Sequence, residues 1–131
     1  MVHYKYIKVI DIKKISELFE SVEWESAKYP EKLKKSIESS DLVLTAWENA
    51  RLIGLMTAIS DGGMNVYFPY LLINPEYHGK GIGRELVRRM LTKYNGYYRK
   101  ILACNADKAP FYEKCGFKCC DDQRPMMIIS S

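Results

Sequence analysis

The pattern richest in chemistry is His78-Gly79-Lys80-Gly81-Ile82-Gly83, followed at once by Arg84. Glycines remove the β-carbons that block close approach of a ligand, and the first N–H groups of a helix lack intrahelical partners. With the positive end of a helix dipole behind them, such groups suit an anion, phosphate best. Lys80 and Arg84 can add charge-assisted contacts, although both are also ordinary solvated cations. Spacing narrows the choice of ligand. Arg84 stands where a dinucleotide fingerprint needs its third glycine, and Gly79-Lys80 is followed by Gly81 rather than by the Ser or Thr of a P-loop.

The flanking residues say what must position this turn. Residues 66–73 are aromatic and aliphatic on both faces, which predicts one largely buried strand stopped by Asn74 and Pro75. After the glycines, Ile82, Leu86, Met90 and Tyr94 recur every four residues with Val87 and Leu91 beside them, the stripe of an amphipathic helix. The unit is strand, glycine turn, helix.

Elsewhere, residues 2–9 alternate as a first strand, with Tyr4 and Tyr6 on one face. Asp11 is placed to cap a helix whose apolar stripe is Ile12, Ile15, Leu18, Phe19 and Val22. A loop over 23–29 leads to Pro30, which opens a second helix with Leu33 and Ile37 inward. Residues 41–47 and 51–60 form a hairpin around Asn49-Ala50, and Asp61-Gly62-Gly63 turns into the strand at 66–73. Residues 99–104 are a fifth strand, parallel to the fourth. A short helix over 108–114, capped from Asn105 to Asp107 and closed by Gly116, precedes two last strands at 117–120 and 125–129.

With 131 residues, 47% apolar and 27% charged, the chain is expected to be a single domain over 1–131 with an ordinary soluble core. No apolar run is long enough for a membrane span and no signal peptide is visible, so no membrane partner and a cytoplasmic location are expected. A net charge of +4 suits a polyanionic small molecule and is too small to argue for nucleic acid. Cys104, Cys115, Cys119 and Cys120 have neither CxxC nor zinc spacing, which predicts reduced thiols and no metal.

His78 to Gly83 resembles the acyl-CoA signature Arg/Gln-x-x-Gly-x-Gly/Ala of the GNAT superfamily of N-acyltransferases, with His78 in place of Arg or Gln. The order β-α-α-β-β-β-α-β-α-β-β is also that family's order over nearly the whole chain. Ala109-Pro110-Phe111-Tyr112 followed by Gly116-Phe117, with Asn105 upstream, resembles its closing segment Ala-x-x-Phe-Tyr-x-x-x-Gly-Phe, with Ala109 one residue nearer to Phe111 than the pattern has it. The resemblance implies an α/β (α+β) GNAT fold: a mixed, mostly antiparallel sheet of about seven strands, flanked by about four helices. In that fold the fourth and fifth strands splay apart.

It further implies acetyl-CoA as cofactor. The pantetheine arm would pair with main-chain groups of Leu71, Leu72 and Ile73. The pyrophosphate would sit on the N–H groups of Gly79, Lys80, Gly81, Ile82, Gly83 and Arg84, beside His78. Asn105 would bind the pantetheine or cap its own helix. Tyr112 would give a proton to the departing thiolate, since a phenol of pKa about 10 and a thiol of about 8.5 can share one. His78 lacks the fixed charge of Arg and the amide of Gln, so weaker or more pH-dependent cofactor binding is expected. The general base is not visible: residues 66–73 hold no carboxylate, which leaves Glu23, Glu25 or a water chain. Trp24, Glu25, Tyr29 and Tyr70 are candidate acceptor-binding residues, with Tyr67 and Phe68 as further aromatics.

The implied reaction is acetyl transfer to a small-molecule primary amine by direct attack in a ternary complex. A peptide or protein amine, or a weakly catalytic acyl-CoA sensor, is the alternative. Many relatives pair through the sheet or the last strands, so a homodimer is compatible with the resemblance.

Overall fold

The computed structural model describes residues 1–130 and divides into two compact units, Met1–Ile101 and the chain from Leu102 onward. The first unit contains strands β1 (Val2–Tyr6), β2 (Leu42–Glu48), β3 (Arg51–Ser60), β4 (Asn65–Tyr67), β5 (Leu71–Ile73) and β6 (Arg99–Ile101). Its helices are α1 (Ile12–Ser21), α2 (Pro30–Ser39) and α3 (Ile82–Lys93). The second unit contains α4 (Ala109–Lys114).

Local chemistry accounts for the helix starts. Asp11 Oδ1 accepts from the Lys13 N–H at 3.0 Å, and Pro30 occupies the first helical position of α2, where its missing N–H costs nothing. The β2–β3 connection turns on Asn49 at φ +55°, a left-handed conformation that Asn tolerates. Residues 25–28, expected as loop, form a single 3-10 turn.

The sheet is mixed and mostly antiparallel, in the order β1-β2-β3-β4-β6, with β5 pairing β3 off that path. β4 and β6 run parallel, as the strand–helix–strand pattern predicts. One face carries a core of Ile15, Leu18, Phe19, Leu33 and Ile37 from α1 and α2, packed on Val43, Leu55 and Leu72. Leu44 and Met56, equally buried, alternate to the opposite face, where α3 packs with Leu86, Val87 and Met90 inward.

Two expectations are corrected. The strand expected over 66–73 is two strands. On β3, Thr57 and Ala58 lie between the positions paired to β4 and β5, whereas three residues, Phe68, Pro69 and Tyr70, lie opposite them. One extra residue is a β-bulge, placed at the proline that cannot donate to a ladder. The last two strands, expected at 117–120 and 125–129, do not form, so the sheet has six strands and not about seven. The 125–129 segment leaves Met126 to Ile129 63–97% exposed. β-propensity describes how well a side chain fits a half-buried pleated surface, and apolar composition alone does not provide one.

Candidate active site

The bulge sets up the site. β4 is flanked by β3 on one side and β6 on the other, and the Phe68 N–H still reaches the Ile101 carbonyl at 3.0 Å. Beyond it, β5 is paired to β3 alone. The Asn74 N–H donates to the Ile53 carbonyl at 2.8 Å, and the Thr57 N–H to the Tyr70 carbonyl at 3.0 Å. Antiparallel bonds alternate, so Leu72 also turns its main-chain groups toward β3. Leu71 and Ile73 then present theirs on the open side. Of the three residues expected to pair with the pantetheine, Leu72 thus faces the sheet.

Ile73 runs into an anchored turn. Buried Asn74 accepts from the Glu76 N–H through Oδ1 at 3.0 Å, and from the Tyr77 N–H through its carbonyl at 2.8 Å. The buried Tyr77 phenol donates to Glu48 Oε1 at 2.8 Å, tying the turn to β2. Arg51, ion-paired to Glu76 at 2.6 Å, and Lys80 both lie over the Tyr77 ring, at 5.7 and 5.2 Å. Gly79 (φ +77°) and Gly81 (φ +79°) are left-handed, and a β-carbon on either would meet nothing within 4 Å. These glycines therefore serve conformation, not packing.

Gly81 precedes α3 and offers no side-chain cap; its carbonyl accepts from the Glu85 N–H at 3.1 Å. The N–H groups of Ile82, Gly83 and Arg84 come before the first intrahelical donor. Glu85, the acid of the first turn, would oppose an anion there, but Arg88 and Arg89 both bond its Oε2 at 2.6 Å. Those bonds hold its carboxyl down at about 2 and neutralise it locally. Exposed Arg84 makes no ion pair among the described residues. His78 is exposed, with its ring on the Ile73 carbonyl at 3.0 Å.

On the acceptor side, Trp24 and Tyr70 come together around Phe19, with ring centroids 6.4 Å apart and 6.0 and 5.4 Å from Phe19. Burial, then the nearby Tyr67, raises the Tyr70 phenol. Tyr29 belongs elsewhere, under Lys32 at 5.5 Å, and buried Phe68 packs edge-on to Tyr94 at 6.0 Å. Exposed Glu25 is paired to Lys28 at 2.7 Å. Glu23 sits in the left-handed region at φ +58° just past α1. Asp61 is no base: Oδ1 accepts from the N–H groups of Gly63, Met64 and Asn65, which holds its carboxyl far below the usual range.

In the second unit, α4 ends in a closed C-terminal motif. The Gly116 N–H donates to the Glu113 carbonyl and the Phe117 N–H to the Tyr112 carbonyl, both at 3.0 Å, with Gly116 at φ +104°. This is the Schellman arrangement, and its apolar contact is the Phe117 ring 5.9 Å from that of Tyr112. The Tyr112-x-x-x-Gly116-Phe117 spacing is therefore a device for fixing Tyr112. Burial first, then Cys104 and Cys115, pushes the phenol up to about 12, so it is protonated at neutral pH. Asn105 is exposed and its side chain makes no cap bond, so of its two expected roles the helix cap does not form.

Sequence reasoning missed the structural work of Tyr77, Glu48, Pro69 and Phe117. Pro69 was the readable signal, since a proline inside an apolar run demotes it as a central strand. The Tyr77–Glu48 bond spans 29 residues and leaves no local trace.

The fold and this turn define a mixed α/β domain that parts its sheet next to a helix start whose first N–H groups have no side-chain cap. The acetyltransferase (GNAT) domain model matches residues 11–129, and the chain belongs to that family. It is 26% identical over 117 residues to an uncharacterized N-acetyltransferase, ycf52, of Pyropia yezoensis, covering 84% of this chain and 66% of that protein. The chain thus spans just under two thirds of that relative's length. A GNAT-family acetyltransferase of Streptococcus pneumoniae superposes with a TM-score of 0.87 at 24% identity, covering 99% of this chain and 98% of that one. A crystal structure described as a putative acetyltransferase of Deinococcus radiodurans gives 0.81 at 26%, covering 98% and 87%. Among the described residues no helix is long and apolar enough to cross a membrane.

Proposed function

We propose that this chain is an N-acetyltransferase, moving an acetyl group from acetyl-CoA to the primary amine of a small molecule within a ternary complex. One observation carries the reading. The open edge of β5 leads through the anchored turn at 74–77 into the glycine segment, offering strand-type groups and then helix-start N–H groups in sequence order. A ligand with extended amides followed by a pyrophosphate matches that order of donors and acceptors.

When bound, acetyl-CoA supplies the activated acetyl group as a thioester. Leu71 and Ile73 would hold the amides of the pantetheine, and Gly79 to Arg84 the phosphates. An outward main-chain N–H on β5 would polarise the thioester carbonyl and hold its developing negative charge. Tyr112 would hand its phenolic proton to the departing sulfur; an ordinary phenol already holds that proton at pH 7, and the rise to about 12 widens the gap to a thiol of about 8.5 that the bound thiolate must offset. The amine approaches from the Trp24–Tyr70 side, where an aromatic wall favours an apolar stem or a cation. The proton leaves through Glu23 or a water chain, since Glu25 and Asp61 are engaged in their own bonds. The exposed thiols Cys104, Cys119 and Cys120 suit a reducing compartment, in keeping with the cytoplasm.

The test is thiol release from acetyl-CoA across a panel of small amines and peptides, with cofactor binding measured beside it. Turnover with a small amine supports the reading, and turnover only with peptides transfers it to that acceptor class. Binding without turnover favours an acyl-CoA sensor, and no binding overturns the proposal.

A further inference from the structure

Ile73 offers its carbonyl on the open edge of β5, and that carbonyl is already taken. His78 Nε2 lies 3.0 Å from it. A carbonyl oxygen only accepts, so Nε2 carries the proton and donates. The contact is not an accident of a slack loop. Between Ile73 and His78, Asn74 and Tyr77 are buried, and the segment is held by the Asn74–Glu76, Tyr77–Asn74 and Tyr77–Glu48 bonds. The His78 N–H itself donates to the Pro75 carbonyl at 3.1 Å. The backbone therefore carries the imidazole back onto the end of the strand that it has just left. Lys80, the nearest cation along the turn, is committed to the Tyr77 ring and leaves this acceptor to His78.

We propose that His78 is a latch on the cofactor edge: its ring holds the Ile73 carbonyl, and the pantetheine arm must displace it to bind. This rests on the acyl-CoA reading. The ring is exposed, so on release its N–H passes to water and only the net worth of the bond is lost. A neutral hydrogen bond of this kind lowers apparent affinity by about 3- to 10-fold. The effect is confined to ligands that carry the arm. A ligand that ends at the phosphates meets only the glycine turn and leaves the latch closed.

Calorimetric titration with two probes separates these cases: coenzyme A, and 3′-phospho-ADP, which has the phosphates and no arm. His78→Ala is expected to bind coenzyme A about 3- to 10-fold tighter than wild type and 3′-phospho-ADP within twofold of it. His78→Gln, whose amide can still donate to the carbonyl, is expected to return toward wild type. In 15N-labelled wild type, the His78 Nε2 resonance is expected to move with coenzyme A and stay still with 3′-phospho-ADP. Unchanged or weaker coenzyme A binding by His78→Ala overturns the latch, and so do equal changes for both probes. Wild type that binds 3′-phospho-ADP but not coenzyme A, with His78→Ala no better, removes the acyl-CoA reading and the latch together. Normal coenzyme A binding with a motionless His78 resonance removes the latch alone.

Discussion

Gly81 and Gly116 share a residue type and a left-handed backbone, at φ +79° and +104°, and serve opposite ends. Gly81 opens α3 and brings no capping side chain, so the donors behind it are unspent. Gly116 closes α4 and directs two N–H groups onto its last carbonyls, which uses up acceptors and presses Phe117 on Tyr112. One helix start keeps its donors free, as the proposed cofactor site requires, and one helix end is sealed and holds a side chain still. Glu23, past α1 at φ +58°, occupies the same backbone region without a glycine.

The largest effect is expected from the side chain that the sealed end positions. Tyr112→Phe should lower turnover by about 10²- to 10⁴-fold while leaving coenzyme A binding within twofold, measured by thiol release and calorimetry. Gly81→Ala should cost about 1–2 kcal/mol of stability from its backbone alone, since no neighbour obstructs the new methyl. As the helix start shifts, coenzyme A affinity should fall roughly tenfold in titration, a free-energy loss of about 1.4 kcal/mol. Gly116→Ala should cost about 1–2 kcal/mol in denaturant unfolding and lower turnover several-fold, with affinity unaltered.

Glu23→Gly should go the other way, raising stability by about 1 kcal/mol. Loss of turnover in that variant would assign Glu23 as the base, and full turnover would strike it out. The smallest effect is a slope. Burial raises the phenols of Tyr4, Tyr70, Tyr94 and Tyr112, so above pH 10 the unfolded chain loses protons that the folded chain keeps. Stability should therefore be fully present below about pH 10 and decline from there toward 12. Tyr112→Phe should make that decline shallower in thermal melts.

Much of this was legible in the chain. Asp11 and Pro30 carried their helices' starts, and the Arg51–Ser60 strand was read to the residue, because caps and apolar alternation are local signals. The two-part strand was not, since residues 66–73 are apolar throughout and only the β3 register reveals the extra residue. Met126 to Ile129 misled in the other direction: an apolar run promises a strand only through the partners that pair with it, and the run itself does not encode them. At the candidate site, the glycines and the Tyr112 segment stood out by spacing. That Leu72 faces the sheet, that Tyr29 stands apart from Trp24 and Tyr70, and that the His78 ring folds back on Ile73 are outcomes of register and packing.

The gap beside β5 has a consequence for the protein in storage and in the cell. An unpaired strand edge is a template on which another chain can add, the first step toward aggregates. Here the hazard is kept small: β5 is three residues long, a bulge bends the strand before it, and a histidine sits on its last carbonyl. The same three features make the gap a poor template for a full polypeptide strand, while leaving room for the short, flexible arm proposed above.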